Sequence, residues 1–235
     1  ANLFLVRFSW ENHEQQDLTK LTSGETFDAF PMWMPDGIHI VYFRAARFYN
    51  SSPIATKQWH RWKPYRLNLD TNETAPLYDK SVYNLRWPVL SPDAQWLAYG
   101  DATDGNNSQF ILIHLSGNAY ENLSTDMIPA SIEIPFHDEE FDGAYPVFTP
   151  DSKKLVYYIK RNNPALYSDN SHRLCLLDLE TKHVWMSNPL PFAIINLAVS
   201  FDGEWVYIFA VENPNPRLGY NRIYKMSLKD GLWSC

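Results

Sequence analysis

Apolar and polar residues alternate after four short turn sequences, which are centred on Asp36, Asp93, Asp151 and Asp202. The residues four positions beyond these aspartates are all apolar: Ile40, Leu97, Leu155 and Val206. Six positions beyond them the chain has Tyr42, Tyr99, Tyr157 and Ile208. A period of two residues predicts β-strands, and aromatic and branched side chains favour them. Because no stretch sustains a period of 3.6 residues, we expect almost no helix.

The turn sequences form a repeat, since successive aspartates are 57, 58 and 51 residues apart. In the first three copies Pro-Asp forms the turn, and an aromatic-proline pair precedes it: Phe30-Pro31, Trp87-Pro88 and Tyr145-Pro146. Proline fixes the first corner of a tight turn, and aspartate bonds its own backbone. We therefore predict a hairpin between the first two strands of each unit. The fourth copy is degenerate, because Phe201 replaces the proline.

Each unit continues with a third apolar strand, a polar turn and a short fourth strand. The predicted third strands are at 65–70, 110–115, 174–179 and 223–228. Four antiparallel strands repeated along a chain predict an all-β fold, a β-propeller of four-stranded blades. We place a half-blade (strands three and four) at 1–24, and blades at 25–80, 81–125, 126–189 and 190–235, the last with a short final strand. All belong to one propeller domain.

The extra half-blade at residues 1–24 leaves two interpretations of the whole propeller. In one, the N-terminal strands complete the last blade and close a small ring. In the other, the chain is an excerpt from a larger propeller. The last blade already has its own third strand at 223–228, so closure would leave one strand redundant. We favour the excerpt, and the total number of blades stays open.

The repeat resembles the TolB-type, WD40-like propeller family. The resemblance is carried by an aromatic residue and proline, two further residues, Ser/Thr-Pro-Asp and a Leu/Val-Ala/Val-Tyr strand, as in 87–99 and 145–157. It covers most of the chain. It implies a non-catalytic protein- or peptide-binding propeller in a periplasmic or other extracytoplasmic setting. Such blades serve many roles, so function has to be argued from a site.

Composition and motifs narrow the range of possible functions. A net charge of −7 argues against a nucleic-acid surface, which needs basic patches. No segment approaches the roughly 18 apolar residues of a membrane span. There is no Gly-x-Ser-x-Gly elbow, no Cys/His metal spacing and no glycine-rich phosphate loop. We therefore expect no enzyme activity, no metal and no cofactor. Cys175 lies in an apolar strand and is expected to be buried, and His172 is expected at the surface.

Long connections are predicted on one face of the propeller. Loops between strands two and three, and those that join blades, share this face, while tight turns share the other. Insertions on one face of a repeat protein often mark the binding face. The first long loop contains Trp59, His60, Arg61 and Trp62, and Trp and Arg are enriched at binding hot spots. These side chains could instead fold back on their own blade.

The densest acidic segment, residues 137–142, contains Glu139 and Glu140. Carboxylates could hold a cation or a positively charged peptide end, or the loop could simply be solvated. Its position before a Pro-Asp repeat is similar to the paired glutamates of dipeptidyl-peptidase-type propellers. That resemblance implies an alternative function: the substrate-gating propeller of a dipeptidyl-peptidase or prolyl-oligopeptidase-type serine peptidase whose catalytic domain is outside this chain. A sensory propeller of a membrane-tethered regulator is a third hypothesis, by analogy alone. The ligand and the oligomeric state stay open.

Overall fold

The computed structural model describes residues 2–9, 11, 14–46, 61–79, 81–83, 85–102, 108–115, 145–160, 172–212 and 220–229. These residues form antiparallel sheets and no α-helix. None of them belongs to a helix that could cross a membrane. The chain divides into two compact units, and the described part of the first ends at Leu85.

The first unit contains two sheets. Sheet 1 pairs β1 (Phe4–Ser9) with β2 (Glu14–Lys20). Sheet 2 has the order β3 (Thr26–Trp33), β4 (His39–Ala46), β5 (Arg61–Asn68) and β6 (Thr74–Pro76). A two-residue strand, β7 (Val82–Tyr83), pairs with the start of β5. Ile40, Tyr42 and Leu67 of sheet 2 pack with Leu3 and Leu21, which flank the two strands of sheet 1.

The second unit contains three sheets. Sheet 3 has β8 (Arg86–Leu90), β9 (Trp96–Ala102) and β10 (Ser108–His114). Sheet 4 has β11 (Val147–Phe148), β12 (Lys154–Lys160), β13 (His172–Asp178) and β14 (Val184–Met186). Sheet 5 has β15 (Ala193–Val199), β16 (Trp205–Glu212) and β17 (Tyr220–Ser227). The fourth strands expected in sheets 3 and 5 fall outside the described residues.

One apolar cluster joins each pair of successive sheets in the second unit. Ala98 and Leu112 of sheet 3 pack with Leu155, Tyr157 and other residues of sheet 4. The opposite face of sheet 4 packs against sheet 5 in a larger cluster, which includes the fully buried Val206 and Ile208. Cys175 is buried, as predicted, and forms no disulfide with another described residue. The first strand of sheet 4, β11, also contacts the first strands of sheets 3 and 5, β8 and β15.

All four predicted turns join the first and second strands of a sheet, and they have the same geometry. The aspartate carboxylate accepts a hydrogen bond from the N–H two residues later, that of Ile38, Gln95, Lys153 or Glu204. The residue after the aspartate has a positive φ in each copy: Gly37 68°, Ala94 55°, Ser152 59° and Gly203 71°. The degenerate copy keeps this geometry although Phe201 is 98% exposed. We call this side of each sheet the anchor-turn end and the opposite side the long-loop end.

Candidate functional site

The predicted site residues that the structure describes lie at the long-loop end of sheet 2, where β5 begins. Trp62 is only 8% exposed, and its ring makes edge contacts with Phe27 and Phe30 at centroid distances of 5.5 and 5.7 Å. Arg61 is exposed, and its backbone pairs with Tyr83. Trp62 therefore folds back on its own sheet, the alternative that the sequence left open. Trp59, His60, Glu139 and Glu140 lie outside the described residues.

An ion pair that sequence reasoning missed lies at the same end of sheet 2. Asp28 and Arg44 are direct neighbours on β3 and β4. Arg44 donates from Nε to Asp28 Oδ1 at 2.7 Å and from its terminal nitrogen to Oδ2 at 3.1 Å. The Asp28 side chain is fully buried, whereas that of Arg44 is 21% exposed. Two parallel hydrogen bonds fix the plane of the guanidinium group.

Two tyrosine rings hold the same guanidinium group. The Arg44 carbon lies 5.3 Å from the centroid of Tyr42 and 5.0 Å from that of Tyr65, both within cation–π range. The hydrogen bond to Asp28 raises the pKa of Arg44. Burial raises the pKa of Tyr42 to about 12, so its hydroxyl stays protonated. Arg44 is thus a permanently charged, oriented donor at the long-loop end.

Further positively charged side chains lie on the neighbouring strand β5. Lys63 lies directly across from Arg44, and its Nζ is 2.7 Å from the exposed carboxylate of Asp79. This contact lowers the pKa of Asp79. Arg61 lies two residues before Lys63, on the same face of the strand. The end of sheet 2 therefore presents several positive groups in a chain whose net charge is −7.

The long-loop end of the second unit holds a row of rings in contact, which we call the aromatic row. Its members are Trp87, Tyr145, Tyr158 and His172, with successive centroid distances of 4.5, 6.2 and 5.2 Å. Tyr158 and His172 are buried, and Trp87 and Tyr145 are partly exposed. The guanidinium carbon of Arg86 lies 5.7 Å from the Trp87 ring. The row therefore runs from a buried end to a partly exposed end next to a cation.

His172 is buried, so the expectation that it lies at the surface was wrong. Its Nδ1 accepts a hydrogen bond of 2.9 Å from the Ile194 N–H, which places the proton of the neutral ring on Nε2. The Leu190 N–H donates to the His172 carbonyl oxygen. His172 therefore links sheet 4 to the segment that leads into sheet 5, and its role is structural.

Backbone strain occurs in two of the aromatic-proline pairs, at the aromatic residue. Phe30 and Trp87 have φ values of 56° and 43°, and both lie where the strand pairing shifts by one residue. A positive φ is a rare, costly conformation for a bulky side chain. The shift alters the direction of the ring, and in both cases the ring contacts a partner, Trp62 or Tyr145. Such irregularities are common where a strand positions a side chain for function.

Sheet 5 has its own arrangement at the long-loop end. Glu212 accepts a hydrogen bond from the Tyr224 hydroxyl, and its other oxygen lies 3.4 Å from Arg222 Nε. The bond from Tyr224 lowers the pKa of Glu212. The Tyr224 ring stacks on Phe192 at 4.1 Å. Within the described residues, no three His, Cys, Asp or Glu side chains are grouped to hold a metal ion.

Comparisons with known proteins identify the fold. No family model and no curated protein matches the sequence. Among solved structures, the chain is similar to an oligogalacturonate lyase from Vibrio parahaemolyticus (TM-score 0.66, 13% identity, 99% of this chain and 60% of that one). It is also similar to prolyl oligopeptidase B from Galerina marginata (0.58, 14%, 89% and 31%) and to TolB from Acinetobacter baumannii (0.53, 18%, 93% and 45%).

The chain therefore spans less than two thirds of each of these proteins. At such low identity the similarity shows the fold alone, and one fold can carry unrelated functions. The described sheets agree with the predicted repeat, since sheet 4 contains four antiparallel strands and sheet 2 contains four in succession, to which the two-residue β7 is added. The all-β prediction and the family resemblance are both confirmed at the level of the fold: the chain is a TolB-like β-propeller.

Proposed function

We propose that the chain is a non-catalytic propeller that binds a protein or peptide partner through the long-loop ends of its sheets. The observation that carries the proposal is Arg44. Two of its five N–H groups are bonded to Asp28, and its side chain is 21% exposed. Among the contacts of the described residues, the remaining donors have no partner. An oriented guanidinium group with donors to spare suits bidentate recognition of a carboxylate.

The surroundings of Arg44 favour a peptide as the carrier of that carboxylate. Arg61 and Lys63 add positive charge along β5, and aromatic rings lie beside the cations in both units. Arg and aromatic residues are enriched at the energetic centres of protein interfaces. The proposed ligand is therefore an extended segment with an acidic side chain or a terminal carboxylate.

The proposal is tested with peptides selected from a displayed library of linear sequences. Their dissociation constants are measured by fluorescence anisotropy for the wild type and for Arg61→Glu. Arg61 is exposed, so its replacement should leave the fold intact and weaken binding about tenfold, the effect of losing 1.4 kcal/mol. Replacing the acidic residues of a selected peptide by their amides should weaken it to a similar extent.

The matched control is Lys153→Glu, the same charge reversal at an exposed position of an anchor-turn end. It should change affinity less than twofold. Equal losses in both variants would indicate a net-charge effect and would contradict a site at the long-loop end. If no peptide is selected from the library, the proposal is contradicted.

The alternative function, a gating propeller of a serine peptidase, is favoured by the similarity to prolyl oligopeptidase B. It requires recognition of a substrate amino terminus by Glu139 and Glu140. In this case a dipeptide with a free amine should bind better than its N-acetyl form, and Glu139→Gln with Glu140→Gln should abolish the difference. Labelling of the natural polypeptide by a fluorophosphonate should also reveal a reactive serine. Equal binding of both dipeptides would remove this function.

The setting proposed for the protein is extracytoplasmic, and it rests on the resemblance to TolB-type propellers. The partner is then a protein or peptide of that compartment, and nucleic acid is not proposed because the chain is acidic. Fusion to a reporter that is active only outside the cytoplasm tests this setting. Activity confined to the cytoplasmic form would contradict it.

A further inference from the structure

Four charged side chains form a row across the long-loop end of sheet 2. Asp28, Arg44 and Lys63 are successive cross-strand neighbours on β3, β4 and β5. Lys63 Nζ lies 2.7 Å from the carboxylate of Asp79, which follows β6. Direct cross-strand neighbours lie on the same face of a sheet, with their Cβ atoms about 5 Å apart. The two cations are therefore adjacent in the middle of the row, with one carboxylate at each end.

The two carboxylates of this row differ in how firmly they are held. The Asp28 side chain is fully buried and accepts two hydrogen bonds from Arg44, so separating the pair would leave a buried charge without a partner. The Asp79 side chain is 90% exposed. An exposed ion pair contributes little free energy, because water solvates both partners when they separate. Asp28 is thus a permanent member of the row, whereas Asp79 is easily released from it.

The backbone is held on both sides of Asp79, so its release requires movement of the side chain only. Before it, Leu77 is buried, and the Leu77 N–H donates to the Pro64 carbonyl oxygen at 2.9 Å. After it, Val82 is buried and pairs with the start of β5. Asp79 therefore stays next to Lys63 along the chain while its carboxylate can turn into the solvent.

The charges of the row favour one class of ligand group. Two carboxylates balance two cations while Asp79 is in place, and its release leaves one positive charge uncompensated. A single carboxylate restores the balance, whereas a phosphate group, with a charge of about −1.5 to −2 at pH 7, exceeds it. Like charges directly across a sheet repel each other. A carboxylate shared by Arg44 and Lys63 removes that repulsion.

Arg44 has the donors that such a shared carboxylate needs. Its Nε and one terminal nitrogen are bonded to Asp28. Among the contacts of the described residues, the guanidinium edge formed by the two terminal nitrogens remains available, and this edge matches the two oxygens of a carboxylate. Lys63, on the side of Arg44 away from Asp28, supplies the second cation.

We propose that the carboxylate of the ligand binds between Arg44 and Lys63 and replaces Asp79 on Lys63. This inference rests on the proposed function and adds to it the second contact of the ligand and an internal competitor. A neutral amide gains less from Lys63 than the Asp79 carboxylate does, so it does not displace Asp79. Asp79 therefore makes the site selective for a charged carboxylate.

The test measures the affinity of the selected acidic peptides for Asp79→Asn by fluorescence anisotropy. Without the competitor, binding should tighten about two- to fivefold, the range expected for an exposed ion pair. The amide forms of the same peptides should bind Asp79→Asn and the wild type equally. In a Lys63→Met background, Asp79→Asn should no longer change the affinity, because the cation for which the two carboxylates compete is absent. Repulsion of the peptide by Asp79 through space would persist in that background.

The matched control is Asp70→Asn, which removes the same charge at an exposed position of the opposite, anchor-turn end of sheet 2. It should bind the peptides like the wild type. Unchanged or weaker binding by Asp79→Asn overturns the exchange, as does an equal gain in Asp70→Asn or a gain that persists in Lys63→Met. These results leave the binding function intact if Arg61→Glu still weakens the peptides. Failure to select any peptide contradicts the binding function and the exchange together.

Discussion

The anchor-turn ends of the sheets repeat one design, whereas the long-loop ends differ from sheet to sheet. In three of the four anchor turns a hydroxyl two residues before the aspartate donates to its carboxylate: Ser91, Thr149 and Ser200. In the first turn Met34 takes that position, and His39 Nδ1 lies 2.7 Å from Asp36 Oδ2 instead. The turns between third and fourth strands also repeat, since Asn68 and Asp178 each accept two backbone N–H groups.

Among the described residues, the long-loop ends share no such contact. Sheet 2 has the Asp28–Arg44 pair, sheets 3 and 4 share the aromatic row, and sheet 5 has Glu212 with Tyr224. The hydrogen bonds that the aspartate carboxylates accept at the anchor-turn end come from residues within a few positions of each aspartate, so each repeat can form them alone. Contacts at the long-loop end link different strands or sheets. The repeated sequence therefore fixes the geometry of the turns and allows the opposite ends to differ, which agrees with the binding face proposed there.

The largest expected effect is at the long-loop end of sheet 2. Arg44→Ala leaves the buried carboxylate of Asp28 without its partner, which should lower the free energy of unfolding by about 3–5 kcal/mol. Urea unfolding followed by tryptophan fluorescence measures the loss. The control is Lys63→Ala, which removes the exposed pair with Asp79 and should cost less than about 1 kcal/mol. Similar losses in the two variants would show that the Asp28–Arg44 pair has no special role.

The next effect concerns the buried end of the aromatic row. His172→Phe keeps a planar ring against Tyr158 but removes the acceptor of the Ile194 N–H. A buried donor without an acceptor should cost about 1–3 kcal/mol of stability. His183→Phe is the control, because His183 is exposed and its ring meets Trp185 edge-on. Its urea midpoint should stay close to that of the wild type, and an unchanged midpoint for His172→Phe would contradict the assigned hydrogen bond.

Smaller changes of opposite sign are expected at the anchor turns. Gly37→Ala places a side chain at a φ of 68° and should destabilise the fold by about 1 kcal/mol. Ala94→Gly relieves the same strain at 55° and should stabilise it by up to about 1 kcal/mol. Thermal unfolding of the two variants measures both. A change of stability in the same direction in both variants would show that the two turns are not equivalent.

The smallest effect is the acid dependence of the first anchor turn. Burial raises the pKa of Asp36, but hydrogen bonds from the Ile38 and His39 N–H groups and from the His39 ring outweigh it and lower the pKa to about 2. A depressed carboxyl pKa stabilises the fold at pH values above the group's ordinary pKa of 3.8, and the stabilisation is lost as the pH falls towards 2. Asp36→Asn should therefore be less stable than the wild type at pH 6 and match it near pH 2. A difference independent of pH would refute the role of the charge.

The sequence was sufficient for the strands and the turns because both depend on local chemistry. A period of two residues identified the strands around Tyr42, Tyr99 and Tyr157, and Pro-Asp identified the hairpins. It was also sufficient for the burial of Cys175 within an apolar strand. The sequence was insufficient to predict the contacts of Trp62, since an aromatic residue at a loop boundary can equally contact a ligand or pack on its own sheet, as Trp62 does on Phe27.

By itself, therefore, the sequence determined the all-β repeat, the hairpin at each anchor aspartate and the TolB-like propeller fold. The tertiary structure alone decided that Asp28 meets Arg44 and that His172 is buried beside Tyr158. The physical reason is the range of the contacts. Turns and alternation involve neighbouring residues, whereas an ion pair between strands or a stack between sheets depends on register and packing, which no short stretch of sequence encodes.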